Sequence, residues 1–200
     1  MERSTWDKIV SGAGAVVAVV LLVMGAAAIY GGTFARDNVR DRLEPQNIAF
    51  PPAEALSPEE KAELGEYAGE TVDTGTEAEA YSRYIGGHLE AVNDGKTYSE
   101  TSSEARALDE NDPARAELDA KVETLFRGET LRSILLNAYG WWTVGTITLW
   151  AGLAMVLAGV LLGILAILGF RHAAKAREPK ATTVETEQTT TVPDLADANK

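Results

Sequence analysis

The chain has 200 residues, with 18 Lys and Arg, 30 Asp and Glu, and a formal net charge of −12. This charge argues against nucleic acid as a partner, because binding to a phosphate backbone needs clustered Lys and Arg. The sequence contains no cysteine, which excludes disulfides, iron–sulfur clusters, cysteine zinc sites and thiol catalysis.

Charge is distributed unevenly along the chain. Residues 9–35 and 133–170 contain no charged side chain, whereas residues 33–140 hold 11 Lys and Arg against 23 Asp and Glu. Each uncharged run exceeds the roughly 20 helical residues, at about 1.5 Å each, that cross about 30 Å of hydrocarbon. The pattern predicts an all-α membrane protein with two transmembrane helices and a small helical loop domain between them.

Five segments follow from this distribution. We expect a short N-terminal cytoplasmic segment at 1–8, a first transmembrane helix at 9–32, an acidic and mainly helical extracytoplasmic loop domain at 33–140, a second transmembrane helix at 141–170, and a disordered Thr-rich cytoplasmic tail at 171–200. The lipid bilayer is then the first predicted partner.

The predicted orientation rests on basic residues beside the spans, because cytoplasmic flanks are enriched in Lys and Arg. The second span is followed by Arg171, Lys175, Arg177 and Lys180. These residues predict a multi-pass protein of the cytoplasmic (plasma) membrane with both termini in the cytoplasm. Three arginines after the first span oppose this orientation, but the long loop exceeds the range of the charge rule. Ala26–Ala28 resembles a signal-peptidase site, yet the long apolar segment favours an uncleaved anchor.

Aromatic side chains stand at the ends of both apolar runs. Amphipathic rings prefer the headgroup level of a bilayer. We therefore expect a membrane-interface position for Trp6, Tyr30, Tyr139, Trp141, Trp142 and Phe170. A platform that stacks a ligand is the alternative for the YGWW segment, although nothing nearby in the sequence completes a pocket.

Small residues recur at four-residue spacing in both runs, which lets helix backbones approach closely in lipid. We expect helix packing through Gly14, Ala18, Ala154, Ala158, Gly159 and Gly163. The two spans would pack on each other or on another chain, so a protein partner or a homo-oligomer is predicted. The alternative is that Gly and Ala are simply common in such helices, since GxxxG alone is a weak signal.

The segment between the spans carries helix-start and helix-stop signals. The first helix should extend to about Leu43 and end at Pro45. Capping boxes and prolines mark further starts. The predicted start positions are Ser57, Thr76, Thr97 or Thr101, and Asp112–Pro113. The last of these helices should continue into the second span, with a bend at Gly128 or Gly140 as an option.

Patterns for catalysis or cofactor binding are missing from the sequence. His88 and His172 lie on opposite sides of the second span, so they cannot share a metal site. We interpret His88 as a half-buried helix residue. The acidic run from Glu54 to Glu79 is interpreted as a solvated face, with a weak divalent-cation site as the alternative. No P-loop, dinucleotide fingerprint or nucleophile elbow occurs, so no enzyme, cofactor or metal is predicted.

The tail after residue 180 is polar and rich in threonine. Such a composition predicts disorder. Glutamates beside the threonines suggest possible phosphorylation by an acid-preferring kinase at Thr186, Thr189, Thr190 and Thr191. A plain solubilising tail is the alternative.

Two stretches, TFARDNVRDRLEPQNIAFPP and GETLRSILLNAYGWWTVG, resemble an uncharacterised family of two-span membrane proteins from high-GC Gram-positive bacteria. The resemblance covers Met1 to about Arg177. It implies the architecture and no functional residue, because the family has no established activity. An aromatic-ring-opening dioxygenase label on some members does not fit a chain whose histidines cannot share an iron site.

The sequence thus favours a non-enzymatic membrane accessory or scaffold protein that docks on a larger envelope complex. The alternative is a membrane sensor or signalling adaptor, in which the acidic loop binds a ligand or cation and the tail is phosphorylated.

Overall fold

The computed structural model describes residues 3–175, and its regular secondary structure is helical. The five helices are α1 (Arg3–Leu43), α2 (Pro58–Leu64), α3 (Gly75–Val92), α4 (Tyr98–Ala107) and α5 (Pro113–Lys175). Short 3-10 turns lie at Glu44–Gln46, Ala53–Ala55 and Gly65–Tyr67. Within residues 3–175, β pairing is limited to one antiparallel bridge between Ala49 and Thr71. The predicted all-helical class is confirmed.

Side-chain caps begin the three short helices. Ser57 and Thr97 each form a capping box with the glutamate three residues later, at the starts of α2 and α4. The box predicted at Thr76 is wrong by two residues, because Thr74 caps α3. Glu77 Oε2 accepts hydrogen bonds from the backbone N–H groups of both Asp73 and Thr74, at 2.8 Å each. These two hydrogen bonds favour a start of α3 at Thr74 rather than at Thr76.

The long helices α1 and α5 each contain a stretch that is long and apolar enough to cross a membrane. In both helices, only 11% of the most apolar window is buried inside the protein. α5 continues as one helix through Gly128 and Gly140, where a bend had been considered. The remaining faces of both stretches are therefore exposed apolar surface.

The two long helices pack as an antiparallel pair whose buried positions recur every seven residues. The buried positions in α1 are Ser11, Ala18, Gly25, Gly32 and Val39. Those in the matching part of α5 are Gly145, Gly152, Gly159, Ala166 and Ala173. A strict seven-residue repeat is the pattern of a left-handed supercoil, in which a narrow seam stays in register over many turns.

Glycine allows the two backbones to touch in the middle of this seam. A Cβ atom added at Gly32 would lie 2.6 Å from the carbonyl oxygen of Gly145, and one added at Gly152 would lie 2.8 Å from that of Gly25. A Cβ at Gly159 would lie 3.1 Å from the Ala18 carbonyl oxygen. Any larger side chain at Gly32 or Gly152 must therefore push the helices apart.

Of the residues predicted for helix packing, Ala18 and Gly159 lie in the α1–α5 seam, whereas packing of the others on another chain stays a prediction. Ala154 and Ala158 are exposed and face away from α1, because a four-residue stripe drifts around the helix while the seam repeats every seven residues. Gly14 and Gly163 are half-buried at the edge of the seam. A Cβ at Gly163 would lie 3.8 Å from the Ala18 Cβ, which is an ordinary contact.

A small apolar core forms where α3 crosses the extension of this pair. Its buried members come from α1, α3, α5 and the segment between α1 and α3: Val39, Leu43, Phe50, Leu64, Val72, Ala78, Ala80 and Leu135. Hydrogen bonds from Phe50 N to Glu70 O and from Val72 N to Ile48 O tie that segment together. The short helices therefore share one core with the long pair.

We predict that Gly152→Leu lowers the thermal stability of the detergent-solubilised protein by several degrees, whereas Ala154→Leu leaves it unchanged. The added side chain at position 152 overpacks the seam, which costs on the order of 1–3 kcal/mol or more. The measurement is the temperature at which the monodisperse peak disappears in size-exclusion chromatography. Equal losses for the two variants would contradict the seam described above.

Candidate functional site

Trp142 stands at the junction of α1, α3 and α5. The guanidinium carbon of Arg36 lies 4.4 Å from the centroid of the Trp142 ring, and that of Arg40 lies 5.9 Å from it. A methyl group at Gly75, the first residue of α3, would overlap the Cβ of Trp142. The ring is half-buried between three helices. The Trp142 ring thus turns toward protein rather than outward, and its predicted position at the membrane interface stays a prediction.

The other five predicted interface aromatics lie on the outer surface of the long helices. Their exposed fractions are 53% for Trp6, 75% for Tyr30, 39% for Tyr139, 58% for Trp141 and 41% for Phe170. Trp141 and Trp142 thus differ completely in environment although they are neighbours in sequence. Because successive helix residues are rotated by about 100°, Trp141 lies on the outer surface while Trp142 lies at the junction.

Arg36 is held at the junction without a partner for its charge. Its Nε atom is buried and has no hydrogen-bond partner. No carboxylate lies within 4.0 Å of its guanidinium group in the part of the chain that the structure describes. Arg40 lies 3.8 Å from an Asp73 carboxylate oxygen, and both side chains are over one-third exposed. Such a pair is weak because water screens it.

A large groove opens on the other side of the α1–α5 seam. It has a volume of about 1300 Å³ and contains Asn38 and Arg42 from α1 but neither Arg36 nor Arg40. A step of two residues corresponds to a rotation of about 200° around a helix. Asn38 and Arg42 therefore lie on a different face of α1 from Arg36 and Arg40. The groove and the Trp142 junction are therefore separate features on either side of α1.

The groove has an apolar floor and one polar edge. Its apolar lining comes from α1, α3 and α5 together with Ile48: Phe34, Ala35, Val39, Leu43, Ile48, Tyr81, Ile85, Leu131, Ile134, Leu135, Ala138 and Trp141. Four of these are largely exposed, namely Phe34, Leu131, Ile134 and Trp141. At the polar edge, Arg42 Nε donates to Asn38 Oδ1 at 2.9 Å. A contiguous apolar surface of this size is typical of a binding site.

A smaller cavity of about 440 Å³ lies between α3, α4 and α5. Its two cationic groups already have partners. Arg132 donates to the Ser82 carbonyl oxygen at 3.1 Å and to Glu129 at 2.8 Å, and Lys96 pairs with Glu104 at 2.8 Å. The Glu104 carboxylate raises the pKa of Lys96. The cavity therefore offers an anionic ligand no unpaired cationic side chain.

An aromatic row runs along α3 and onto the core. Consecutive ring centroids are 4.4–5.5 Å apart along the series Tyr67, Phe50, Tyr81, Tyr84 and His88. Burial raises the pKa values of Tyr67 and Tyr84, and the neighbours Glu66 and Glu60 raise them further. Both hydroxyls thus stay protonated at neutral pH. Phe50 belongs to the core, and Tyr67, Tyr81 and Tyr84 pack against it.

The structure also places the histidine and the carboxylates considered for metal binding. His88 is exposed rather than half-buried, and its Nδ1 lies 3.6 Å from Glu60. Among residues 3–175, no three His, Asp or Glu side chains come close enough together to hold a metal ion. The acidic run from Glu54 to Glu79 is used in caps and in pairs such as Arg83 with Glu79, at 3.1 Å.

The residues predicted to set the topology and to be phosphorylated lie mostly beyond the described part of the chain. Arg171 and Lys175 are exposed in the last turns of α5. The remaining ones lie outside residues 3–175: Arg177, Lys180, Thr186, Thr189, Thr190 and Thr191.

No protein-family model, curated protein or solved structure matches this chain. The resemblance to a bacterial two-span family therefore stays a prediction. Neither the groove nor the Arg36–Trp142 contact was predicted from the sequence. One sequence feature points to the groove. The uncharged stretch 133–144 makes the second apolar run longer than a membrane span needs, and it contains Ile134 and Trp141.

We predict that Trp142→Ala exposes the segment between α1 and α5 to protease, whereas Trp141→Ala does not. Loss of the half-buried ring removes the contacts with Gly75 and Arg36 and should cost about 2–3 kcal/mol. The measurement is the rate of limited proteolysis between residues 44 and 112 in solubilised protein. If both variants are cleaved at the wild-type rate, Trp142 does not hold α3 in place.

Proposed function

We propose that this protein is a non-enzymatic accessory or scaffold protein of the cytoplasmic membrane. α1 and α5 cross the bilayer as a helical hairpin, and the groove beside them receives a helix of a larger envelope complex. The observation that carries the proposal is the apolar groove at the end of two long helices whose outer faces are themselves apolar and exposed.

The exposed faces of α1 and α5 support membrane insertion. Large apolar side chains such as Val16, Val23, Leu157 and Leu161 are between 63% and 66% exposed in the isolated chain. A helix in the core of a water-soluble protein would bury such residues, yet only 11% of each apolar window is buried here. An apolar surface on all sides of a helix pair fits a lipid environment.

The length of the small-residue seam supports the same conclusion. Each buried seam residue of α1 forms a layer with its neighbour in α5. The layers from Ser11 to Gly32 span 21 residues of α1, which is about 32 Å at about 1.5 Å per residue. Hydrocarbon cores are about 30 Å thick. The layer formed by Gly32 and Gly145 then marks one boundary of the hydrocarbon core. The exposed rings of Tyr30 and Trp141 lie close to this boundary.

The groove supports docking because it begins at this boundary and continues outside it. Trp141 and Phe34 lie next to the boundary layer, while Leu131 lies 14 residues beyond Gly145, about 21 Å along the helix. An exposed apolar surface at that height is uncovered by lipid. A partner helix that emerges from the membrane alongside α5 could fill the groove without a break, in the helix-in-groove manner.

The basic residues after α5 support cytoplasmic termini, which leaves the groove and α2–α4 on the extracytoplasmic side. The alternative function, a sensor or signalling adaptor, depends on phosphorylation of the tail. Phosphothreonine between Thr182 and Thr191 in protein from growing cells would favour it.

We predict that Ile134→Arg reduces the amount of partner protein recovered with the solubilised protein at least tenfold, about 1.4 kcal/mol in binding free energy. Leu136→Arg is the matched control. Ile134 is 60% exposed in the groove, whereas Leu136 is 44% exposed and does not line it. A charge in the groove would have to be buried without a partner, which binding disfavours.

The measurement is a tagged purification from native membranes in mild detergent, with quantitative mass spectrometry and the complex mass on a native gel. Recovery of the same complex with Ile134→Arg would exclude the groove as the docking surface. Release of the wild-type protein by alkaline carbonate would exclude membrane insertion itself.

A further inference from the structure

We propose that Arg36 and Arg40, positioned at the Trp142 ring, bind the phosphate group of an anionic phospholipid. This inference rests on the proposed membrane insertion and concerns a different face of α1 from the groove. The ligand chemistry is a phosphodiester with a single negative charge, presented at the edge of the hydrocarbon layer.

The height of Arg36 is that of a lipid headgroup. Arg36 lies four residues beyond Gly32, about 6 Å along α1 from the Gly32–Gly145 layer. A hydrocarbon boundary at that layer puts the guanidinium group among the phosphates. Arg40 lies one further turn outward and approaches the same ring.

The protein holds the Arg36 side chain in place before any ligand arrives. Its Cγ atom passes 3.0 Å from the position that a Cβ of Gly145 would occupy, so the stem lies across the seam glycine. Its guanidinium group then lies over the Trp142 ring, 4.4 Å from the centroid. Packing on both sides lowers the conformational entropy that binding would otherwise cost.

The charge of Arg36 lacks an anionic partner within the described residues. The nearby Asp73 lies 3.8 Å from Arg40, and its neighbour Glu77 is occupied in capping α3. A buried Nε without an acceptor is unfavourable, and a neighbouring anion would offset part of that cost.

A phosphate group fits this arrangement of a guanidinium group on an aromatic ring. The planar guanidinium group can donate two parallel hydrogen bonds to phosphate oxygens while its face stays on an aromatic ring. Lysine offers only a point charge and cannot stack in this way. Zwitterionic lipids carry a compensating amine, so we expect preference for anionic headgroups.

The test is native mass spectrometry of the full-length protein reconstituted in vesicles of equal phosphatidylglycerol and phosphatidylcholine, then released in mild detergent. We expect the wild type to retain phosphatidylglycerol at least tenfold over phosphatidylcholine. Arg36→Gln should abolish this preference, and Arg40→Gln should reduce it several-fold.

Arg42→Gln is the matched control, because Arg42 lies on the same helix two residues beyond Arg40, is exposed, and faces the groove while bonded to Asn38. It should keep the wild-type preference. Loss of the preference in Arg42→Gln to the same extent as in Arg36→Gln would show general charge attraction and overturn the site. Unchanged retention in Arg36→Gln would overturn it as well.

Arg36→Lys addresses the possibility that Arg36→Gln fails to fold. It keeps the charge, so we expect a wild-type proteolysis pattern with at least a several-fold loss of phosphatidylglycerol retention. Full retention in Arg36→Lys would contradict the role of the planar group.

Two further measurements distinguish a lipid site from a free-phosphate site, and failure of this site from failure of the proposed function. Displacement of the lipid by excess inorganic phosphate would show a site for free phosphate and would overturn the lipid assignment. Resistance of the reconstituted protein to alkaline carbonate, combined with retention that does not depend on Arg36, would reject this site while leaving the proposed function intact.

Discussion

The close approach of α1 and α5 through a seven-residue seam of small side chains is the constraint on which the rest of the structure depends. Because Gly32 and Gly145 bring two backbones into contact, the helices stay in one register from Ser11 to Val39. This register sets the relative heights of Arg36, Trp142 and the groove. An error of one residue in the seam would rotate each of these side chains by about 100°.

The same seam explains how a short acidic segment folds beside the helices. The core around Phe50 and Val72 is small, and a core of that size is marginal when it stands alone. Here the paired long helices contribute three of its eight buried members, Val39, Leu43 and Leu135, and so provide a surface on which the segment packs. Trp142 extends this support to the first residue of α3, since Gly75 leaves room for its ring.

The groove arises because the two long helices end at different heights. Pro45 follows the end of α1 at Leu43, whereas α5 begins at Pro113 and runs far beyond that level. The face of α5 that α1 would cover is therefore open around Leu131 and Ile134. The groove and the Arg36–Trp142 contact therefore lie on different faces of α1.

The sequence by itself determined the features that depend on local composition and spacing. Two uncharged runs required long apolar helices, and Pro45, Ser57 and Pro113 marked helix ends through local backbone chemistry. Thr74 was missed because Thr76 also has a glutamate three residues later. The hydrogen bonds to Glu77 and the contact of Gly75 with Trp142 favour the earlier start.

Tertiary structure decided which face of each helix is buried, because a helix that is apolar all round carries no amphipathic signal for its packing face. Ala154 and Ala158 matched the small-residue pattern as well as Gly152 does, yet only the register with α1 buries Gly152 and exposes the alanines. For the same reason Trp141 and Trp142 were indistinguishable in sequence, and the junction with Arg36 separated them.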